Sequence, residues 1–398
     1  MLKDITLSVL CLYTIVNITL CPKGLEAQEL PTWKYMGIDS TRNPLSAKKK
    51  GAWCFGLATG DITGDGLPDI ISGKWVYINP GDDVKKKWRR VTFPIELDGL
   101  FVIDADGDKT MDIVAVKCNE QYWLEFAEDT TQPWKMVLIG QVPVCDHQIS
   151  SQGYTSGRLT SNRSLELFLN GGGNDGTIYA ITVPKEPEKG NWPFRKIVEN
   201  TFMNKGLALG DIDGDGIMDV VTAIRAEPNS YTISWFREKV QKTEKWEHRS
   251  VGFTKNKPDR FAVADLDKDG DNDIVVTEGL WPGEKPDAGL FWFEQTKTGW
   301  RKHGLWTGYS LNSLSVDDLN EDGLPDIVAA EHKGPHKRIQ LFENRGDKSF
   351  SLRTIDTGKE NHLGAKLVDI DLDGDLDLVG FGWVDFKYMH LWINEGKK

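Results

Sequence analysis

Residues 211–219 read DIDGDGIMD, with acids at the first, third, fifth and ninth positions and glycine at the fourth and sixth. A hydrophobic run precedes them (GLALG) and another follows (VVTA). The same pattern stands at residues 61–69 (DITGDGLPD), 104–112 (DADGDKTMD), 265–273 (DLDKDGDND), 318–326 (DLNEDGLPD) and 369–377 (DIDLDGDLD). A decayed copy, RLTSNRSLE, occupies 158–166 and keeps the hydrophobic flanks while losing most acids. The seven starts are 43 to 54 residues apart. A period of about 50 residues belongs to a solenoid or a propeller.

The chemistry of one copy follows from its residue types. Calcium takes six to eight oxygen ligands, and a tight turn of alternating carboxylates supplies them. Glycine permits the sharp turn. The last acid falls at position nine, not twelve, and β-branched residues flank the loop. This predicts a β-hairpin calcium loop and not a helical one. The expected ligands are Asp61, Thr63, Asp65 and Asp69; Asp104, Asp106, Asp108 and Asp112; Asp211, Asp213, Asp215 and Asp219; Asp265, Asp267, Asp269 and Asp273; Asp318, Asn320, Asp322 and Asp326; Asp369, Asp371, Asp373 and Asp377. A turn rich in Asp and Gly without metal is the plain alternative; six acid-rich copies weigh against it.

The repeat resembles the FG-GAP or VCBS family of extracellular propeller repeats. The resemblance covers nearly all of the chain after residue 30 and implies an all-β, seven-bladed β-propeller with structural calcium. The residues themselves agree: short β-branched and aromatic runs, and no helical periodicity. A mature chain of this length exceeds what one core holds, and radial repetition avoids that limit. In the fourth copy we expect strands at 206–210, 219–223, 232–237 and 246–252. Aromatics recur on the third strand (Trp75, Trp123, Trp235, Trp292, Phe342, Trp392) and at the start of the fourth (Trp88, Trp134, Trp192, Trp246, Trp300, Phe350). Regular positions favour blade packing over sugar platforms. The last repeat ends at its third strand, whereas Trp33–Asp39 (WKYMGID) fits the fourth-strand pattern. The ring should therefore close with this N-terminal strand.

Residues 1–28 read as an export signal, too short and interrupted to span a membrane well, with residues 29–398 as a single propeller. Cys21 suggests lipid anchoring only weakly, because Leu20 before it is bulky. The expected location is secreted or periplasmic, and the protein a monomer. Cys54, Cys118 and Cys145 then remain, which gives one disulfide and one free thiol, Cys118–Cys145 being the first choice.

The chain carries a net charge of −12, yet 22 of its 60 acids stand at the loop ligand positions. With calcium bound, the opposite face stays basic and rich in His, Tyr and Trp. Its loops carry His147, His332, His362, Tyr154, Tyr309, Arg225, Arg260 and Lys366. Such a mouth suits an anionic sugar: His and Tyr as base and acid, Arg and Lys as neutralisers. A second divalent metal in the mouth is a further expectation. The later repeats (AVADLDKDGDNDIVVTEG, LSVDDLNEDGLPDIVAAEHKG, NHLGAKLVDIDLDGDLDLVGFGW) also resemble the propeller of aldos-2-ulose dehydratases, though without their cupin domains. That resemblance implies a carbohydrate lyase or dehydratase acting on uronic-acid-containing or other oligosaccharides. The alternative is a non-catalytic module holding polysaccharide or a surface protein, as integrin-like FG-GAP propellers do. A hydrolase is disfavoured, since no separate carboxylate pair and no GxSxG stand out. Nucleic acid does not suit an exported acidic chain.

Overall fold

The computed structural model describes residues 32–43, 54–127, 133–143, 151–171, 176–199, 201, 205–227, 230–238, 246–280, 282–363, 365–383 and 386–396. It forms seven four-stranded antiparallel sheets, the blades of a propeller. In chain order the first six blades begin at the innermost strands Leu57–Gly60, Asp98–Ile103, Tyr154–Gly157, Ala208–Gly210, Pro258–Ala264 and Leu311–Asp317. The seventh blade is Lys366–Val368, Asp377–Phe381 and Met389–Asn394, completed by Trp33–Asp39. That N-terminal strand pairs antiparallel with the last one, from Trp33 opposite Asn394 to Asp39 opposite Met389. The closure expected from the sequence is thus the closure observed. It leaves no open edge at the joint.

The core sits between blades, because each sheet hides its faces only against its neighbours. Seven apolar clusters run round the ring. Val275 and Trp292 of blade five meet Ile327 and Phe342 of blade six. Tyr77 and Trp75 of blade one meet Phe381 and Leu391 of blade seven. The third-strand aromatics Trp75, Trp123, Trp235, Trp292, Phe342 and Trp392 are all buried. They pack blades and are not open to a sugar. Adjacent blades come closest at their innermost strands: a Cβ on Gly206 would lie 2.4 Å from the carbonyl oxygen of Asp259.

The acid-rich turns join the first two strands of their blades. Their shared conformation explains the repeat. The fourth position has positive φ in every copy (Gly64, Gly107, Gly214, Lys268, Glu321, Leu372), and so does the sixth, where Lys109 replaces glycine in the second. The ninth acid is buried and accepts the N–H of the second residue in all six, as Asp219 does from Ile212 at 2.9 Å. It staples the turn to the blade.

Cys118 is disulfide-bonded and Cys54 is a buried free thiol; Cys145, the expected partner, lies outside the described residues. Among the described residues no helix is long and apolar enough to cross a membrane.

Candidate metal loops and channel mouth

Two regions carry the chemistry. The first is the ring of acid-rich turns. In four of them three carboxylates converge: Asp104, Asp106 and Asp108; Asp211, Asp213 and Asp219; Asp265, Asp267 and Asp269; Asp369, Asp371 and Asp377. The loops beginning at Asp61 and Asp318 have Thr63 and Asn320 at position three and form no such triad. Oxygens that protein leaves unpartnered mark the fit to a cation. They include Asp219 Oδ1, Asp265 Oδ1, Asp369 Oδ1, Asp371 Oδ1 and Thr63 Oγ1. Burial, with crowding by neighbouring acids, pushes Asp219 up to about 7 and Asp377 to about 8. A divalent ion would offset both effects. The donor set is all oxygen and suits calcium, which these residues would hold between the first two strands of a blade. Two of the third-position acids also meet protein cations, Asp213 with Arg237 at 2.5 Å and Asp267 with Lys348 at 2.6 Å.

The decayed copy has solved the same problem with arginine. Glu166, at its ninth position, is buried and paired with Arg195 through both carboxylate oxygens. Arg163 pairs with Glu238, and Arg158 donates to the carbonyl of Arg163. Fixed guanidinium groups stand where the other turns gather acids.

The second region is the mouth at the opposite end of the channel. Glu331 ends the second strand of blade six, so His332 leaves it at the mouth; His362 precedes the innermost strand of blade seven. The two imidazoles meet edge to face at 4.4 Å, and Trp383 packs 5.5 and 5.7 Å from them. His332 Nδ1 stands 2.5 Å from Oε1 of the buried Glu360. Burial lowers the His332 pKa although Glu360 pulls it up. Burial, then the charges of His332, Lys205, Arg260 and Lys333, drives His362 well below the ordinary imidazole range. Burial thus favours the uncharged form of both rings, against the pull of Glu360 on His332.

Beside them lies a cation cluster. Asp259, fully buried, meets Lys205 at 3.1 Å and Arg260 at 3.1 Å and accepts from Asn312 at 2.7 Å. Burial would raise its pKa, but Lys205 and Arg260 hold it below the usual carboxylate range. Lys333 Nζ sits 5.3 Å from the ring centre of Trp383. Among the described residues, several buried polar atoms here have no partner: His362 Nδ1, both amide atoms of Asn361, and Arg260 Nη2.

The remaining candidates divide. Tyr154 is a strut: its hydroxyl donates to the carbonyl of Phe55 (3.0 Å) and accepts the N–H of Leu57 (2.9 Å), and burial raises its pKa. Its proton is therefore committed to the blade-one backbone, which argues against a general acid. Tyr309 packs against Gly334 in the His332 loop. Lys366 is on the innermost strand of blade seven, open to solvent yet surrounded by protein that lowers its pKa. Arg225 is exposed, opposite Tyr231 on blade four, with no described contact to the histidines. His147 lies outside the described residues. No three metal-type ligand atoms converge in the mouth among the described residues, unlike the turns. Glu360, Asn361 and Asp259 escaped the sequence reading. The one signal available was an acid at the start of an innermost strand, which Asp98 and Asp259 share.

Comparison with known proteins agrees with the fold. The FG-GAP-like repeat family matches residues 211–276 and 318–380. Integrin alpha pat-2 of Caenorhabditis briggsae is 25% identical over 239 residues, covering 53% of this chain and 20% of that protein. The chain thus spans about a fifth of that relative. Among solved structures, the complex of BBS1N with ARL6DN matches with a TM-score of 0.55 and 10% identity, covering 93% of this chain and 99% of the other. The N-terminal domain of Nup159 matches at 0.50 and 11%, covering 92% and 97%. These likenesses concern fold alone. Residues 211–276 and 318–380 thus carry FG-GAP-like repeats, within a seven-bladed β-propeller. Resemblance to the aldos-2-ulose dehydratases is not found among these matches.

Proposed function

We propose that this protein is an exported FG-GAP propeller, steadied by calcium in its turns, that binds an anionic saccharide at the mouth between blades four and seven. The observation that carries this reading is the set of buried polar atoms without protein partners: His362 Nδ1, the Asn361 amide and Arg260 Nη2. Such atoms cost about 1–3 kcal/mol each unless something bonds them. Sugar hydroxyls and a carboxylate supply the missing partners. Lys205, Lys333 and Arg260 provide positive charge, and Trp383 an apolar wall. The extracellular character of the integrin relative supports a binding role outside the cell, with residues 1–28 as the export signal.

One observation favours a second reading, β-elimination. Two imidazoles whose charged forms burial disfavours, beside a buried carboxylate, form a base whose proton has somewhere to go. Here a His takes the proton from the carbon beside the uronate carboxylate, the cations hold the developing negative charge, and the bond from the next carbon to the leaving oxygen breaks, that oxygen taking a proton from water, to give an unsaturated sugar. One experiment separates the readings. The protein is titrated calorimetrically with uronate oligosaccharides and with neutral ones of equal length, and the mixtures are followed by ultraviolet absorbance. Uronate-selective binding lost in Lys333→Ala and Trp383→Ala supports the site; no binding to either refutes it. Growth of absorbance from a conjugated double bond, cut by about 10²–10⁴ in His332→Gln or His362→Gln, makes it a lyase.

A further inference from the structure

Blade one carries a second feature, distant from the mouth chemistry. Residues 84–92 read VKKKWRRVT, placing five cations in six positions in a chain of net charge −12. Clusters of this density are a signature of polyanion binding. The fold turns the run outward. Trp88 is buried at 4% exposure, and its indole N–H donates to the carbonyl of Val84 at 2.9 Å. That anchor leaves Lys85, Lys86, Lys87, Arg89 and Arg90 exposed on either side of it.

These cations border a groove of about 540 Å³ on the outer seam, where the N-terminal strand of blade seven meets the last strand of blade one. Lys87, Arg89 and Arg90 line it together with Asp39, Thr41 and Tyr77. The groove is ordered from below. Asp39 accepts from Tyr77 Oη at 2.9 Å and from Arg90 at 2.5 Å, while Arg90 also reaches Thr41 Oγ1 at 3.1 Å. Opposing charge is limited. Asp39 is engaged by Arg90, and Asp83 accepts the backbone N–H of Lys85. Asp82 is also exposed beside the run. Among these residues five cations stand against the three acids Asp39, Asp82 and Asp83.

We propose that this seam is a binding groove for a sulfated or carboxylated polysaccharide, held by Lys85, Lys86, Lys87, Arg89 and Arg90. Polysaccharide is favoured over nucleic acid for two reasons. The groove's aromatics, Trp88 and Tyr77, are buried at 4% and 1% exposure, so no ring is presented for base stacking. The acidic surface elsewhere repels a long nucleic acid that must pass over it. A flexible saccharide chain can follow the rim alone. The site would tether the propeller to a polyanionic matrix while the mouth stays open.

The test uses the full chain in calcium buffer, in a Lys333→Ala/Trp383→Ala background that removes the proposed mouth site from the readout. Immobilised heparin oligosaccharide is the sulfated probe and polyuronate the carboxylated one; dextran and duplex DNA of matched length are the comparisons. Heparin or polyuronate should bind, dextran should not, and affinity should fall steeply with salt. The variant K85S/K86S/K87S/R89S spares Arg90, which holds the seam, and should bind about ten-fold or more weakly with a shallower salt dependence. A distant variant, K285S/K297S on blade five, should bind like the original. Should the quadruple variant lose its native melting transition, Lys87→Glu alone carries the test and should weaken binding about three-fold or more. Full affinity in the folded cluster variants overturns the proposal. So does an equal loss in the blade-five variant, which would indicate net charge alone, or DNA binding as tight as heparin.

Discussion

Calcium-stripped protein should lose stability as the pH rises from about 4 to about 8, and calcium should abolish that loss. The ninth acids set the window. Burial raises Asp69 and Asp112 to about 6, Asp219, Asp273 and Asp326 to about 7, and Asp377 to about 8. A raised carboxyl pKa means that the native state binds more protons than the unfolded chain. Stability is then fully present below the unfolded value, near 4, and is lost as pH climbs through the folded value. For Asp219, moving from 3.8 to about 7 corresponds to about 4 kcal/mol at neutral pH. A divalent ion inverts the preference, because it stabilises the ionised form.

The melting temperature reads this directly. A site filled at a hundred times its Kd adds about 2.7 kcal/mol. For a unit of roughly 360 residues this is roughly 3–4 °C per site, so the four triad loops together give roughly 14 °C. The assay is calorimetry across pH on protein stripped over a chelating resin, with and without millimolar calcium. The stripped protein should melt highest near the acid end of the window. Superimposable profiles with and without calcium would refute the reasoning about the turns.

Three further outcomes are expected. Arg195→Met leaves the buried Glu166 carboxylate without its cation, held by the Thr182 hydroxyl, and should destabilise by roughly 1–3 kcal/mol, equally with and without calcium, since arginine serves that turn; a calcium-dependent loss in denaturant titrations would contradict this. Deleting Trp33–Asp39 exposes the edge of Met389–Asn394, so the chain should aggregate or self-associate on size exclusion, and a monodisperse monomer with unchanged melting would count against ring closure. His390 is buried neutral, with its pKa lowered to about 4, so stability should fall as pH drops from about 6.5 to about 4; His390→Gln should remove up to roughly 3 kcal/mol of that acid sensitivity, measured by urea titration in saturating calcium.

The fold was legible because its constraints are local and repeated. Each turn needs a residue tolerating positive φ at its fourth and sixth positions and an acid at its ninth, so the spelling survives in six copies. Even the exceptions are readable: Lys109, Lys268 and Glu321 adopt the required φ without glycine. Blade closure was legible for the same reason, since Trp33–Asp39 repeats the pattern of an outer strand. The mouth has no such spelling. His332 and His362 lie 30 residues apart and come together only because blades six and seven are neighbours. Glu360 and Asn361 sit in an entry loop whose counterparts differ in every blade, so no periodicity points to them. Tyr154 shows the opposite failure. Its residue type and its loop both suggested chemistry, but the distances to Phe55 and Leu57 make it a cross-channel tie.

That division has a physical cause which also locates function. Packing and turn geometry recur in each blade, so selection for stability writes nearly the same letters in six of the seven turns. A ligand meets the ring from one side only and breaks its symmetry. Residues that serve a ligand should therefore depart from the repeat, as the His332–His362 pair does at the mouth and the Lys85–Arg90 run does on the rim, the two sites proposed above. Departures that ease a packing problem carry their own partner, as Glu166 carries Arg195. Departures that leave buried polar atoms unpartnered, as Asn361 and His362 do, add cost to the isolated fold. A bound ligand would offset that cost, which is why we place the proposed saccharide at the mouth of blades six and seven.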